Sequence, residues 1–430
     1  VSTAAVSSAP ALPPMAQAQR QVIRAQALRP DIITLSTPTD YPKWGDDNQY
    51  PQRLLQAIAA SGTASVCAER KAQFIEGNGF TDTTFYRAVI NRNGGTLDAL
   101  LQPVTNNLGY LEGWAVRVNI NANGLPCEVL HQPVEQVRPF HPEGDGITRW
   151  CGLVRNPAAV ARRGATYASR SGLQKVPVFR GSEKPEERLK RALEWKNEKG
   201  ETVGLAGYPG EIYYWFQQRT GAYLHPRPLI DAVLDDVYSE PALKRSRASD
   251  IMEGYSAKVM ITEYGTNQPT QEVLDANAIK YGGFVGPEGG KVLVQYADRS
   301  ENKPGIDTIT APDASKRYQT DEDAIKQNIR EAMQMPGVLL GREIAGKLGS
   351  WQELQDAVAY VQALVVNSAQ RSLERGFEAV FRDFQNRDGS QPFKALQDFS
   401  IQNLTLQQAA ALAGVSVPTT PDNGTGTAAA

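Results

Sequence analysis

Histidine and cysteine are scarce, with three of each in 430 residues. The cysteines, Cys67, Cys127 and Cys151, lie far apart and leave an odd one over. That spacing fits neither a disulfide framework nor a close metal-binding pair, and the expectation is buried free thiols in a reducing compartment. His131, His141 and His225 show no short ligand spacing, so no metal centre is expected. No stretch approaches the ~18 apolar residues of a membrane span. The opening "VSTAAVSSAPALPPMAQAQRQ" has neither a basic leader nor a continuous apolar core, so it does not read as a signal peptide and a cytosolic setting is expected. Positive charge is not in surplus either: 45 Lys and Arg stand against 47 Asp and Glu, a formal net charge of -2. This argues against tight, sequence-reading nucleic-acid binding, although charge segregated within a fold still permits loose contact.

The chain is long enough for two or three domains with cores of their own. Residues 1 to 38 are rich in Ala, Ser, Pro and Gln and read as an arm; the end is similar from about residue 413. Between them, 51–75 carries apolar residues at helical spacing and stops at "EGNGF". A second helix is expected over 95–113, then a hairpin "WAVRVNI-NANG-LPCEVLHQP", with short strands over 147–155 and 173–180. The run "SEKPEERLKRALEWKNEKGE" mixes its charges and reads as a solvent-facing helix or excursion rather than a nucleic-acid patch. "GEIYYWFQQ", 210–218, is an aromatic strand, suited more to a core or an interface than to stacked bases.

Residues 227–254 form the longest helix candidate, with an apolar stripe of Leu229, Ile230, Val233, Leu234 and Val237. Acids (Asp231, Asp235, Asp236) lead it, bases (Lys244, Arg245, Arg247) close it, and Pro241 should kink it or begin a second segment. A strand over "AKVMITEYG", a helix over "TQEVLDANAIKYG" and a strand after "GGFVGPEGG" follow. The last third is helical: "DEDAIKQNIREAMQ", then 351–385 as one long helix with Leu354, Val358, Val361, Leu364 and Val365 on a packed face.

Gly341, four residues, then Gly346-Lys347 has the spacing of a phosphate-cradling loop. Leu348 stands where the magnesium-holding Ser or Thr belongs, and a helix broken at Pro336 precedes it instead of a buried strand. Acidic groups occur at 45–47, 231–236 and 313–324. Asp231 and Asp235 share a helical face, which imaginably serves two metals, but no partner segment matches them and an aspartate-rich helix start accounts for them. No serine elbow, HExxH or cysteine in a catalytic context is found, so no enzyme and no cofactor is expected.

Three stretches in this order resemble the portal proteins of tailed bacteriophages: "YPKWGDDNQYPQRLLQAI" with "FIEGNGF" at 74–80; the helix 227–254 with its strand-bearing excursion and helical return; and "AIKQNIREAMQMPGVLLG", 324–341, before the long final helices. Arg342-Glu343 departs from the Ser-Asn that often follows this turn. The resemblance spans most of residues 40–385 and implies an α+β, portal-type fold with a mixed α/β wing, a helical stem, a small α/β clip and long C-terminal helices. Its parts fall at 1–38 (arm), 39–226 (wing, first part), 227–255 (stem), 256–270 (clip), 271–281 (stem), 282–385 (wing, second part) and 386–430 (a partly disordered tail).

The resemblance further implies a homo-oligomeric ring, typically of twelve, at a capsid vertex of the virion, assembled in the host cytoplasm. Double-stranded DNA passes through without sequence specificity. The partners implied are the terminase, the major capsid or scaffolding protein and a head-tail connector, with no membrane. A channel-lining loop is expected near 313–323 or at the break around Pro336, which makes Lys316, Arg317, Met335 and Pro336 the DNA-proximal candidates. Tyr213, Tyr214, Trp215 and Phe216 are the candidates for the contact between subunits, and Lys258 and Tyr264 for the clip. The alternatives are another virion structural protein, such as a capsid or baseplate component, and more distantly a nucleotide- or metal-dependent hydrolase.

Overall fold

The computed structural model describes residues 43–45, 48–154, 173–197, 200–221, 224–252, 258–264, 292–297, 305–309, 314–341 and 351–414. In chain order these form α1 (Tyr50–Ala60), α2 (Gly62–Glu76), α3 (Leu97–Leu111), β1 (Gly113–Ile120), β2 (Pro126–His131), β3 (Val137–Pro139), β4 (Trp150–Val154), β5 (Leu173–Pro177), α4 (Pro185–Leu193) and β6 (Glu211–Phe216). There follow α5 (Leu234–Met252), β7 (Lys258–Tyr264), β8 (Val292–Ala297), β9 (Gly305–Ile309), α6 (Ala314–Ala332), α7 (Trp351–Val361), α8 (Asn367–Phe381) and α9 (Leu406–Ala413). The architecture is mixed α/β, with helices and small sheets. It divides into two compact units: one takes in Ser239–Ala324, the other Asp31–Tyr238 and Ile325–Ala430.

In the larger unit the run expected as one helix over 51–75 is two. Ser61 takes an extended backbone and its Oγ accepts the Ala64 amide at 3.1 Å, which ends α1 and caps α2. Thr96 caps α3 in the same way. α2 crosses α3 at Gly109, where a methyl group would fall 2.6 Å from the Ala68 carbonyl oxygen and 2.9 Å from the Ala72 Cβ. The hairpin forms as expected, and β6 pairs antiparallel to the far side of β1, giving the order β2-β1-β6. A second sheet, β3-β4-β5, lies beside it.

Two smaller clusters, on the second sheet, and two large cores fill this unit. One gathers Leu54, Ile58, Ile230, Val237, Ile329, Met333, Met335, Leu354 and Val361. The other is aromatic, around Phe80, Phe85, Trp114, Phe377, Phe381, Phe384, Phe393 and Phe399.

Several expectations change on packing. The charged run at 182–201 is not merely a solvated face: Arg188 and Ala192 of α4 are buried. Arg188 donates to the carbonyls of Gly124 and Arg180, lies over the Phe179 ring and pairs with buried Glu211. The helix expected from 227 begins as a 3-10 turn, Leu229–Val233, and becomes α-helical at Leu234. Asp231 is therefore no metal ligand on an open face. It is buried, accepting from the Tyr50 hydroxyl at 2.8 Å and from Arg227 Nε at 3.0 Å. α5 runs through Pro241 as one helix.

The long final helix contains a π turn, Gln362–Val366, which widens the spacing of its apolar face. Val365 and Val366 turn inward and Leu364, expected inside, is 53% exposed. The tail expected from 386 is packed as far as 414. Gln402 and Ser400 exchange main-chain bonds with Asn78, Gly79 and Thr81, Phe393 and Phe399 enter the aromatic core, and Thr405 with Gln408 forms a capping box on α9.

The smaller unit contains the sheet β8-β7-β9, with β7–β8 parallel and β7–β9 antiparallel. β7 and β8 match the expected strands, and β9 is additional. The helix expected over 270–282 and the residues Asp46, Asp47, Gly346, Lys347 and Leu348 lie outside the described residues, as do the arm at 1–38 and the end from 415.

Candidate functional site

β6 carries the four consecutive aromatics, and its register with β1 is Phe216↔Gly113, Trp215↔Trp114, Tyr214↔Ala115 and Tyr213↔Val116. Alternation sends neighbours to opposite faces. The Tyr213 ring sits 5.0 Å from the Trp114 ring and packs on the aromatic core. The Tyr214 hydroxyl reaches the Leu224 carbonyl at 3.3 Å on the other side. Burial holds the Tyr213 and Tyr214 hydroxyls above the usual phenol range, so both stay neutral donors.

All four aromatics are half-buried, so the fold uses part of each and leaves part on the surface. What remains, with Gln217 and Gln218, forms one wall of a groove of about 460 Å³. α8 supplies the opposite wall through Ser368, Arg371, Ser372 and Arg375. Arg371 and Arg375 are exposed, one helical turn apart, and neither bonds to a described residue. An aromatic edge facing two uncommitted guanidinium groups suits a partner carrying carboxylates or flat side chains. The arginines were not anticipated; the signal was the i, i+4 pair in "QRSLERG", with small residues opening the surface around it.

The turn after α6 is a different kind of feature. The Gln334 amide donates to Glu331 O at 3.0 Å and the Met335 amide to Arg330 O at 2.9 Å, while Gln334 takes φ 56°. This is a Schellman motif with glutamine in the left-handed position usually held by glycine. Ile329 and Met335 meet in the same core, supplying its apolar contact. Helix α6 has therefore stopped before Pro336, which instead starts the 3-10 turn Gly337–Leu340.

The DNA-proximal candidates divide accordingly. Met335 is 2% exposed, and a side chain so enclosed has no surface for a passing ligand, which corrects that expectation. Pro336 is half-buried on the turn. Lys316 and Arg317 lie in the first turn of α6, so the loop expected over 313–323 is helical from 314. Lys258 and Tyr264 are the first and last residues of β7. Lys258, Tyr264, Lys316 and Arg317 belong to the smaller unit, Met335 and Pro336 to the larger one.

Charge chemistry elsewhere in the larger unit is committed to structure. Arg138, wholly buried, donates to the Asn48 side chain at 2.6 Å and to the carbonyls of Asn48, Glu135 and Val137. The bond from Arg92 holds the Glu128 carboxyl down at about 2, with help from Asn119. His131 bonds Asn107 and His225 stacks on Trp44. Among the described residues no group of three or more His, Cys, Asp and Glu is placed to hold a metal ion. Among them, too, no helix is long and apolar enough to cross a membrane.

No family model matches the chain and no curated protein does. Solved structures do. A chain in the virion of a native gene transfer agent particle is 10% identical with a TM-score of 0.46, the match covering 77% of this chain and 81% of that one. A chain in the neck of the empty particle, computed with C6 symmetry, is 11% identical with a TM-score of 0.45, covering 86% of this chain and 94% of that one. An HK97 family phage portal protein from Corynebacterium diphtheriae is 11% identical with a TM-score of 0.43, covering 85% of this chain and 98% of that one.

Proposed function

We propose that the chain is the subunit of a portal, a ring at one vertex of a capsid through which double-stranded DNA enters and leaves. One observation carries the reading. The chain leaves the larger unit within α5, builds a small three-stranded sheet, and returns within α6 to a short turn and a long terminal helix. This out-and-back passage is the order that a stem, clip and stem require, and the quoted sequence stretches fall in the same order along it.

The function is mechanical and electrostatic, with no bond made or broken by the subunit. Each phosphate contact along a channel deepens a trap for the moving duplex, so a near-neutral chain suits transport better than a strongly basic one. A ring closes through a heterologous contact, in which two different faces of the subunit meet. The aromatic and arginine groove supplies one such face; its partner surface on the next subunit, the terminase, the capsid or scaffolding protein and a head-tail connector complete the proposed contacts.

Negative-stain imaging of the purified chain is the test. Rings with a central hole, near twelvefold in class averages, are expected. Arg371→Glu with Arg375→Glu is expected to lower ring yield without unfolding the subunit. A monomer at every salt concentration tested would overturn the reading.

A further inference from the structure

Beside the groove lies a second cavity, of about 210 Å³, whose polar wall is Lys71, Glu112, Gln217, Arg219, Gln334 and Ser368. Its centre is a three-charge cluster. Lys71 Nζ lies 2.7 Å from Glu112 Oε1, and Arg219 Nη2 pairs with Glu112 Oε2. Lys71 and Glu112 are more than nine-tenths buried. Burial raises the Glu112 carboxyl, but Lys71 and Arg219 outweigh it and hold the group below the ordinary range, so it stays ionised. Two cations and one anion leave a net positive charge on this wall, carried by Arg219, whose side chain is 31% exposed.

The donors on this wall are also incompletely used. Lys71 spends one of its three N–H bonds on Glu112, and Arg219 uses Nε on the Arg227 carbonyl and Nη2 on Glu112. The side chains of Gln217, Gln334 and Ser368 bond to no described residue. At ~30 Å³ per water, the cavity has room for one oxyanion with some of its hydration.

Two helix ends also border this cavity. Three non-glycine residues among those described have a left-handed backbone, Asn48, Glu112 and Gln334, and two of them line it. Both close helices, Glu112 ending α3 and Gln334 ending α6, in the position that glycine ordinarily takes. The Glu112 side chain is used, pairing with Lys71 and Arg219. For Gln334 the fold gives the side chain no partner, and the cavity is what it faces.

We propose that this cavity binds a small oxyanion, held by Lys71 and Arg219 with Gln217, Gln334 and Ser368 as neutral donors. The oxyanion is either free, as phosphate, or the carboxylate of a neighbouring copy; only that second source rests on the ring reading. The test is calorimetric titration of the full chain with inorganic phosphate at ionic strength fixed with chloride. Saturable binding is expected, weakened about tenfold or more in Arg219→Gln, since a charge-assisted bond is lost. Gln334→Gly, which suits the backbone and so keeps the fold, is expected to weaken phosphate several-fold while the subunit unfolds no more easily.

Equal phosphate affinity in assembled and unassembled protein marks a free anion. Binding to the unassembled chain alone, with phosphate inhibiting ring formation, marks a neighbour's carboxylate. No saturable binding to either form, or affinity unchanged in Arg219→Gln, overturns the proposal.

Discussion

Gly376→Ala sets two effects of known sign against each other. In an exposed helix the change gains about 1 kcal/mol, because alanine is the better helix former. Gly376 lies in α8 against the aromatic core, and a methyl group on its Cα would fall 2.4 Å from Trp114 Cζ2, 2.5 Å from Cη2 and 2.9 Å from Tyr213 Cε1. Trp114 cannot swing aside easily: it is wholly buried, with the Tyr213 ring at 5.0 Å and the Phe377 ring at 5.5 Å. Relieving the overlap takes roughly 1 Å of movement by a packed indole, and overpacking of this kind costs about 1–3 kcal/mol or more. With a fully enclosed ring the upper end applies, so the net expectation is a loss of about 1–2 kcal/mol after the helix gain. Urea unfolding followed by tryptophan fluorescence reads this as a lower midpoint at unchanged slope. A midpoint at or above wild type would mean that α8 does not press on β1 and β6 as described, and would remove the groove's geometry with it.

Three further outcomes follow from other contacts. Lys71→Met leaves buried Glu112 with Arg219 alone, and is expected to cost about 2–3 kcal/mol in chemical unfolding, below the 3–5 typical of a fully broken buried pair. Glu128, held at about 2 in the fold against ~4.3 for an unfolded glutamate, contributes stability that is present above pH 5 and lost as pH falls toward 2. The unfolding midpoints of wild type and Arg92→Met, measured from pH 6 to pH 3, are therefore expected to converge as the pH falls; a constant gap would count against the pairing. Pro336→Ala is expected to cost no more than about 1 kcal/mol, largely by freeing the unfolded chain. Far-ultraviolet circular dichroism should register no added helix, because the Schellman bonds stop α6 before the proline.

Sequence by itself determined most elements and their class. Helical spacing placed α2, α3 and the final helices, and alternation placed the β1–β2 hairpin. These are local properties, written in three to ten adjacent residues. What apolar periodicity does not encode was not legible. Ser61 divides a helix through its own cap, yet the apolar spacing runs on across it; the π turn exposes Leu364 by shifting a register that periodicity assumes constant. The segment after 386 looks polar and tail-like, but its few aromatics find a core built by residues some 300 positions earlier, and its backbone bonds to 78–81.

The surfaces followed the same rule. Four aromatics in a row announced an interface or a core, but only tertiary packing decided that each is half-buried and set Arg371 and Arg375 opposite them. Met335 sat beside an apparent break, and only the fold turned it inward. The strained backbones of Glu112 and Gln334 leave no trace in composition, because neither residue is the glycine that the conformation ordinarily takes. Local chemistry fixes where the chain turns and coils, while long-range packing decides which charges are paired and which are left on the surface.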